Sequence, residues 1–141
     1  MQVNTTRFGE MDIPDDLIVC MPEGIAGFPE DRRFVLLEES KEMPFHWLQS
    51  VDTAELAFIV MDPHAIDPDY RIEFDEDTFS LFGTIVPEEI IPLVVVNASA
   101  DNPSMARANM RAPIIVHSKK RYARQIVLSN ENYSVQKMIF G

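Results

Sequence analysis

Twenty-three carboxylates, three histidines and one cysteine are the side chains of this 141-residue sequence that could do acid–base, metal or nucleophilic chemistry. Their spacing argues against each role. His46, His64 and His117 stand alone, with no spacing that brings two imidazoles to one metal. Asp62-Pro63-His64 with Asp67 and Asp69 gathers possible ligands but lacks the glycine and the glutamate of a calcium loop. Solvated turn acids are the better reading. Cys20 sits in an apolar segment with no basic neighbour in sequence, so a reactive thiol is not expected. Glycines at 9, 24, 27, 83 and 141 build no phosphate-cradling loop. Asp75-Glu76-Asp77 reads as the acidic opening of a short helix, where carboxylates favour the helix dipole. No catalytic, cofactor-binding or metal-binding residue is expected, and no enzyme.

The charge is more informative. Twelve Lys and Arg against 23 Asp and Glu leave a net charge of −11 and a pI near 4.5. A chain this acidic gains no counterion-release attraction to nucleic acid and is repelled by anionic lipid. Direct binding of RNA, DNA or membrane is therefore not expected. The charge is also uneven: residues 1–101 carry −17 and residues 102–141 carry +6. Mutual attraction of two parts of one fold is the simplest reading. A negative face for a basic partner is the functional one. The basic run Lys119-Lys120-Arg121-Tyr122-Ala123-Arg124 could contact phosphate, but hairpin tips are often charged for solubility.

The elements that must position these groups are short strands. Leu56–Met61 and Leu93–Val96 are rich enough in β-branched residues to be central strands, and a strand over 32–39, four apolar residues between charge pairs, would be covered on both faces. Tyr70, Ile72 and Phe74 alternate with Arg71, Glu73 and Asp75, predicting a half-buried strand. Strands are also expected over 3–8, 16–21, 45–51, 112–117 and 123–128, the last two forming a hairpin with a basic tip. Ten prolines forbid long helices. Short helical turns fit at Asp77 to Phe82, ended by Gly83, and at Ser104 to Met110. The expectation is an all-β, single-domain antiparallel fold over residues 1–141, barrel-like or a sandwich, with one or two short helical turns. One cysteine allows no internal disulfide, and no signal peptide or membrane span is read. A cytoplasmic location follows.

Several segments together resemble the flagellar assembly factor FliW family. They are Thr6-Arg7-Phe8-Gly9, Pro22-Glu23-Gly24-Ile25-Ala26-Gly27-Phe28, Phe45-His46-Trp47-Leu48-Gln49-Ser50 and Ala57-Phe58-Ile59-Val60-Met61-Asp62-Pro63. Pro68-Asp69-Tyr70, Asn109-Met110-Arg111-Ala112-Pro113-Ile114, Gln125-Ile126-Val127-Leu128 and Tyr133-Ser134-Val135 continue the series to near the C-terminus. The family usually has Phe where Met21 stands and Pro where Ala26 stands, which bears on local stiffness more than on function. The resemblance implies a compact β-barrel-like fold, no catalysis and two competing protein partners. These are flagellin and the post-transcriptional regulator CsrA, whose RNA binding the family antagonises from a site away from the RNA, so that flagellin translation follows assembly.

Asp69, Tyr70, Asn109 and Met110 are the expected recognition residues, as polar or adaptable groups in turns and strand ends. Glu73, Asp75, Glu76 and Asp77 form the acidic patch expected to repel RNA phosphate beside a bound basic regulator, and as strand-face acids they should be dispensable for folding. Trp47 and Phe58 are expected in the core. The flagellin site should contain an apolar patch. The alternative is a dedicated flagellin chaperone with little CsrA antagonism. A small β-barrel enzyme or a sugar- or nucleotide-binding domain is the third and weakest reading.

Overall fold

The computed structural model describes residues 1–38, 44–97 and 105–139. Among the described residues eleven strands, one α-helix and three one-turn 3-10 helices make up the regular structure: β1 (Gln2–Thr5), β2 (Gly9–Asp12), β3 (Val19–Cys20), β4 (Arg33–Leu37), β5 (His46–Ser50), β6 (Ala57–Met61), α1 (Glu76–Phe82), β7 (Ile90–Asn97), β8 (Arg107–Ala108), β9 (Ile114–His117), β10 (Ala123–Gln125) and β11 (Lys137–Met138), with the 3-10 turns at Asp15–Leu17, Pro63–Ala65 and Pro87–Glu89. The class is all-β, as expected.

β1 and β2 form a separate hairpin, while the main sheet runs β10-β9-β7-β6-β5-β4-β3 with β8 and β11 attached beside β7. Every strand pair is antiparallel. The sheet curls without closing as a continuous ladder. At the seam Cys20 N–H donates to Arg121 O at 2.8 Å, and a single parallel bridge joins Cys20 to Tyr122.

The apolar runs explain the curl. Cross-strand pairs Leu48–Phe58 and Val60–Val95 face one side, while Ile59–Val96 and Met61–Val94 face the other. The first side packs with Val19, Met21, Ile25, Phe34, Ile114 and Val116. The second packs with Tyr70, Phe82, Ala108, Met110, Ile115 and Ile126. A sheet covered on both faces needs continuous apolar strands, which is why Leu93–Val96 lacks polar alternation. A third cluster of Val3, Ile13, Val35 and Leu37 lies under the β1–β2 hairpin, with Trp47 and Val51 packed against it. Pro92 is tolerated because β7 pairs β9 through Ile90–Leu93 and meets β6 only from Val94 onward.

Residues 70–75 are not a strand but an extended segment outside any ladder. Their alternation still has a cause: Ile72 and Phe74 pack on the second cluster while Arg71, Glu73 and Asp75 face solvent. Periodicity reported burial, not pairing. α1 and its glycine end match expectation, with Gly83 at φ +77 as the residue after the helix. The expected helical turn at 104–110 is instead strand β8 at Arg107–Ala108, drawn into the sheet by Val96 and Asn97; Ser104 lies outside the described residues. The flanking strands are shorter than the sequence suggests, notably β10.

Candidate protein-binding surfaces

The four expected recognition residues are brought together, but not all at the surface. Tyr70 and Met110 are buried at 3% and 2% exposure, and the Tyr70 hydroxyl donates to Met110 O at 2.5 Å. Burial does most to push the Tyr70 phenol above its ordinary pKa, with Tyr133 adding to it. Both side chains are core, so neither can face a partner without unfolding. Asn109 is half-buried, and its Oδ1 accepts from the N–H groups of Arg111 and Ala112. Asp69 alone is exposed, in a turn where its N–H donates to Asp67. Nearby, Asp62 caps a one-turn 3-10 helix by accepting from His64 N–H. Among the described residues no three His, Cys, Asp or Glu are placed to hold a metal ion.

The acidic patch divides into two kinds of residue. Asp75 is the N-cap of α1: its carboxylate accepts from the N–H and hydroxyl of Thr78. The Thr78 hydroxyl does most to hold the Asp75 carboxyl below its ordinary pKa; burial opposes it, and Thr78 N–H and Arg124 reinforce it. Asp75 therefore serves folding, against expectation. Arg124 reaches Asp75 at 3.2 Å and Asp77 at 3.5 Å, and also pairs with Glu23 from the 22–29 loop. Burial works against the Arg124 charge, but Glu23 and Asp75 outweigh it and raise the Arg124 pKa. Glu73 and Glu76 are exposed and carry no ion pair among the described residues.

The basic hairpin tip is turned inward in its bonding. Lys119 pairs with Glu89 at 3.0 Å, and Lys120 Nζ donates to Phe82 O at the α1 C-terminus, where a cation favours the dipole. Arg121, at φ +59, donates to Leu17 O and Ser118 O. All four bases of the tip are thus tied to the fold, the outcome expected of two mutually attracting parts.

A surface the sequence did not disclose lies beside the 22–29 loop. An open groove of about 490 Å³ is lined by Ile25, Ala26, Phe58, Val95, Asn97, Met105, Arg107, Asn109, Gln125, Val135 and Gln136. It forms where the face bearing Phe58 and Val95 runs beyond its cover, while β8 and β11 extend it sideways. Its wall is the 22–29 loop, bent by Gly24 at φ +67 and Gly27 at φ +88. Gln125 fixes this wall: Ala26 N–H donates to its Oε1 at 2.8 Å and its Nε2 donates to Ala112 O. Phe28, 41% exposed, stands edge-on to Phe58 with ring centroids 5.4 Å apart. Phe58 and Trp47 are half-buried, not full core; the Arg7 guanidinium lies 4.0 Å above the Trp47 ring. The paired glycines before Phe28 were the one local sign of this wall. The rest comes from strands two residues long.

Fold and surface define an all-β protein whose described features are open contact faces rather than an enclosed reaction site. A profile of the FliW protein family matches residues 2–139. A flagellar assembly factor FliW of Geotalea uraniireducens is 39% identical over 140 residues, covering 99% of this chain and 85% of that one. Those of Syntrophus aciditrophicus and Geobacillus kaustophilus are each 36% identical, covering 96% and 99% of this chain and 85% and 96% of theirs. A crystal structure of the flagellar assembly factor FliW superposes with a TM-score of 0.91 at 32% identity, over 100% of this chain and 98% of that one. The chain belongs to the FliW family of flagellar assembly factors.

Proposed function

We propose that this chain is a non-enzymatic cytoplasmic regulator folded as one domain over residues 1–141. It binds CsrA and antagonises its RNA binding, and it binds flagellin in competition. The family supports a role in flagellar assembly. The observation that carries the CsrA reading is the pair Glu73, just before α1, and Glu76, its first residue: exposed carboxylates with no ion pair among the described residues. CsrA must be basic where it holds RNA. A docked partner presenting free carboxylates lowers the potential there and repels phosphate, within a Debye length of about 8 Å at physiological salt. Coupling between linked sites of ~1–3 kcal/mol corresponds to about 5–150-fold in RNA affinity. Asp69 remains an exposed recognition candidate; Asn109 contributes only through its half-buried edge.

The test is size-exclusion chromatography of the chain mixed with CsrA, then challenged with flagellin. Displacement of CsrA supports the switch, and one ternary peak overturns simple competition. Charge reversal at Glu73 and Glu76, leaving the Asp75 cap intact, should keep CsrA binding and weaken antagonism. Unchanged antagonism would remove this patch as the effector. No helix among the described residues is long and apolar enough to cross a membrane.

A further inference from the structure

The groove beside the 22–29 loop shares no residue with the acidic patch and differs from it in chemistry. In a chain with 23 carboxylates, its lining contains none among the described residues, and the one charged residue there is Arg107. Among the described residues Arg107 makes no ion pair, and its one side-chain hydrogen bond there is a long one, 3.4 Å, to Gln136 O. Asn97 and Gln136 line the same face with carboxamides that make no side-chain hydrogen bond among the described residues. Around these polar groups the surface is apolar: Val135 is 56% exposed, Met105 42% and Phe28 41%. The wall that displays Phe28 is held by Gln125 at Ala26 and packs closely at Gly24, where a Cβ would lie 2.6 Å from Phe28 O.

From this complementarity we infer that the groove docks a peptide segment of a partner protein, one that combines apolar side chains with a carboxylate. The apolar residues cover Phe28, Phe58, Met105 and Val135, and the carboxylate takes the forked guanidinium of Arg107. The free carboxamides of Asn97 and Gln136 then meet the segment's backbone groups. An exposed apolar surface rimmed by polar residues is the usual mark of a protein contact. A basic segment is disfavoured, because it would bury Arg107 against like charge. A small molecule is disfavoured too, because an open groove leaves most of its surface wet. The inference stands independently of the CsrA reading, which concerns the opposite kind of surface.

The experiment is selection of a random-peptide phage library on the immobilised full chain. Enriched peptides should carry apolar residues together with Asp or Glu. Synthesised singly, they should lose about tenfold or more in affinity on Val135→Asp and on Arg107→Glu. Replacing the peptide acid with Lys should restore binding to Arg107→Glu and weaken it to the native chain. Both replaced side chains reach the surface, and thermal melts of each variant verify folding. No enrichment, a basic or uncharged consensus, or indifference to both variants would overturn the proposal. So would concentration-dependent dimerisation abolished by Val135→Asp, since the occupant would then be a second copy of this chain.

Discussion

The Tyr70 hydroxyl donates to the carbonyl of Met110, a 2.5 Å bond between two buried residues forty positions apart. It ties the extended 70–75 segment to the chain leaving β8, and the Tyr133 ring packs against Tyr70 at 4.6 Å between centroids. Two residues expected at the surface are thus a joint in the core.

Tyr70→Phe keeps the ring but leaves the Met110 carbonyl buried without that donor, so it should cost about 1–3 kcal/mol in urea unfolding. The phenol also sets an alkaline limit. Its folded pKa is raised above the ordinary 10.0, so its contribution is complete below pH 10 and declines as the unfolded chain ionises above it. The native chain should lose stability above about pH 10, and Tyr70→Phe should lose less over the same range. Equal slopes would show that Tyr70 is not the titrating group.

Asp75→Ala removes the cap of α1 and one partner of Arg124. Loss of a cap of this kind costs about 1 kcal/mol. The Asp75 carboxyl lies below its ordinary pKa in the folded chain, so its contribution is present above about pH 4 and lost as pH falls through the folded value. Thermal melts taken down in pH should show a shallower acid limb for Asp75→Asn than for the native chain.

Arg124 and Asp75 should be energetically coupled. Arg124 is 14% exposed and Asp75 47%, so solvent screens the pair in part. A double-mutant cycle with Arg124→Gln and Asp75→Asn should give about 0.5–1 kcal/mol. The value should fall as sodium chloride is added. A coupling of zero at low salt would mean that Glu23 and Asp77 hold Arg124 without Asp75.

Gly24→Ala should disrupt the groove wall. Its backbone is left-handed, which costs a residue with a Cβ about 1–2 kcal/mol, and the new Cβ would meet Phe28 O. Gly27 is also left-handed but has open space around it, so Gly27→Ala should be the milder change in Tm. Hydrogen exchange should place the added opening at residues 22–29, with the Ala26 amide losing protection first.

Much of the architecture was legible locally. Asp75 to Gly83 contains its own cap, acidic first turn and glycine stop, so α1 needed no tertiary information. The β-branched runs at 57–61 and 93–96 carried the two-sided burial of the central strands. The alternation at 70–75 marked an inward-facing row correctly but could not say whether a neighbour strand was there to pair with it. The split of charge along the chain forecast ion pairs between its parts, yet not that Arg124 would join Glu23, 101 residues away, to the cap of α1.

By itself the sequence determined the all-β class, the helix ending at Phe82, the acidic character and the family likeness. These depend on patterns within a few residues or on order along the chain. Only the tertiary structure decided that Tyr70 and Met110 are buried, that Arg124 joins Glu23 to Asp75, and that a groove exists with no carboxylate among its described residues. The physical reason is the same for all three. Each depends on register and on the curl of the sheet, which bring together segments too far apart, or strands too short, to leave a local signal.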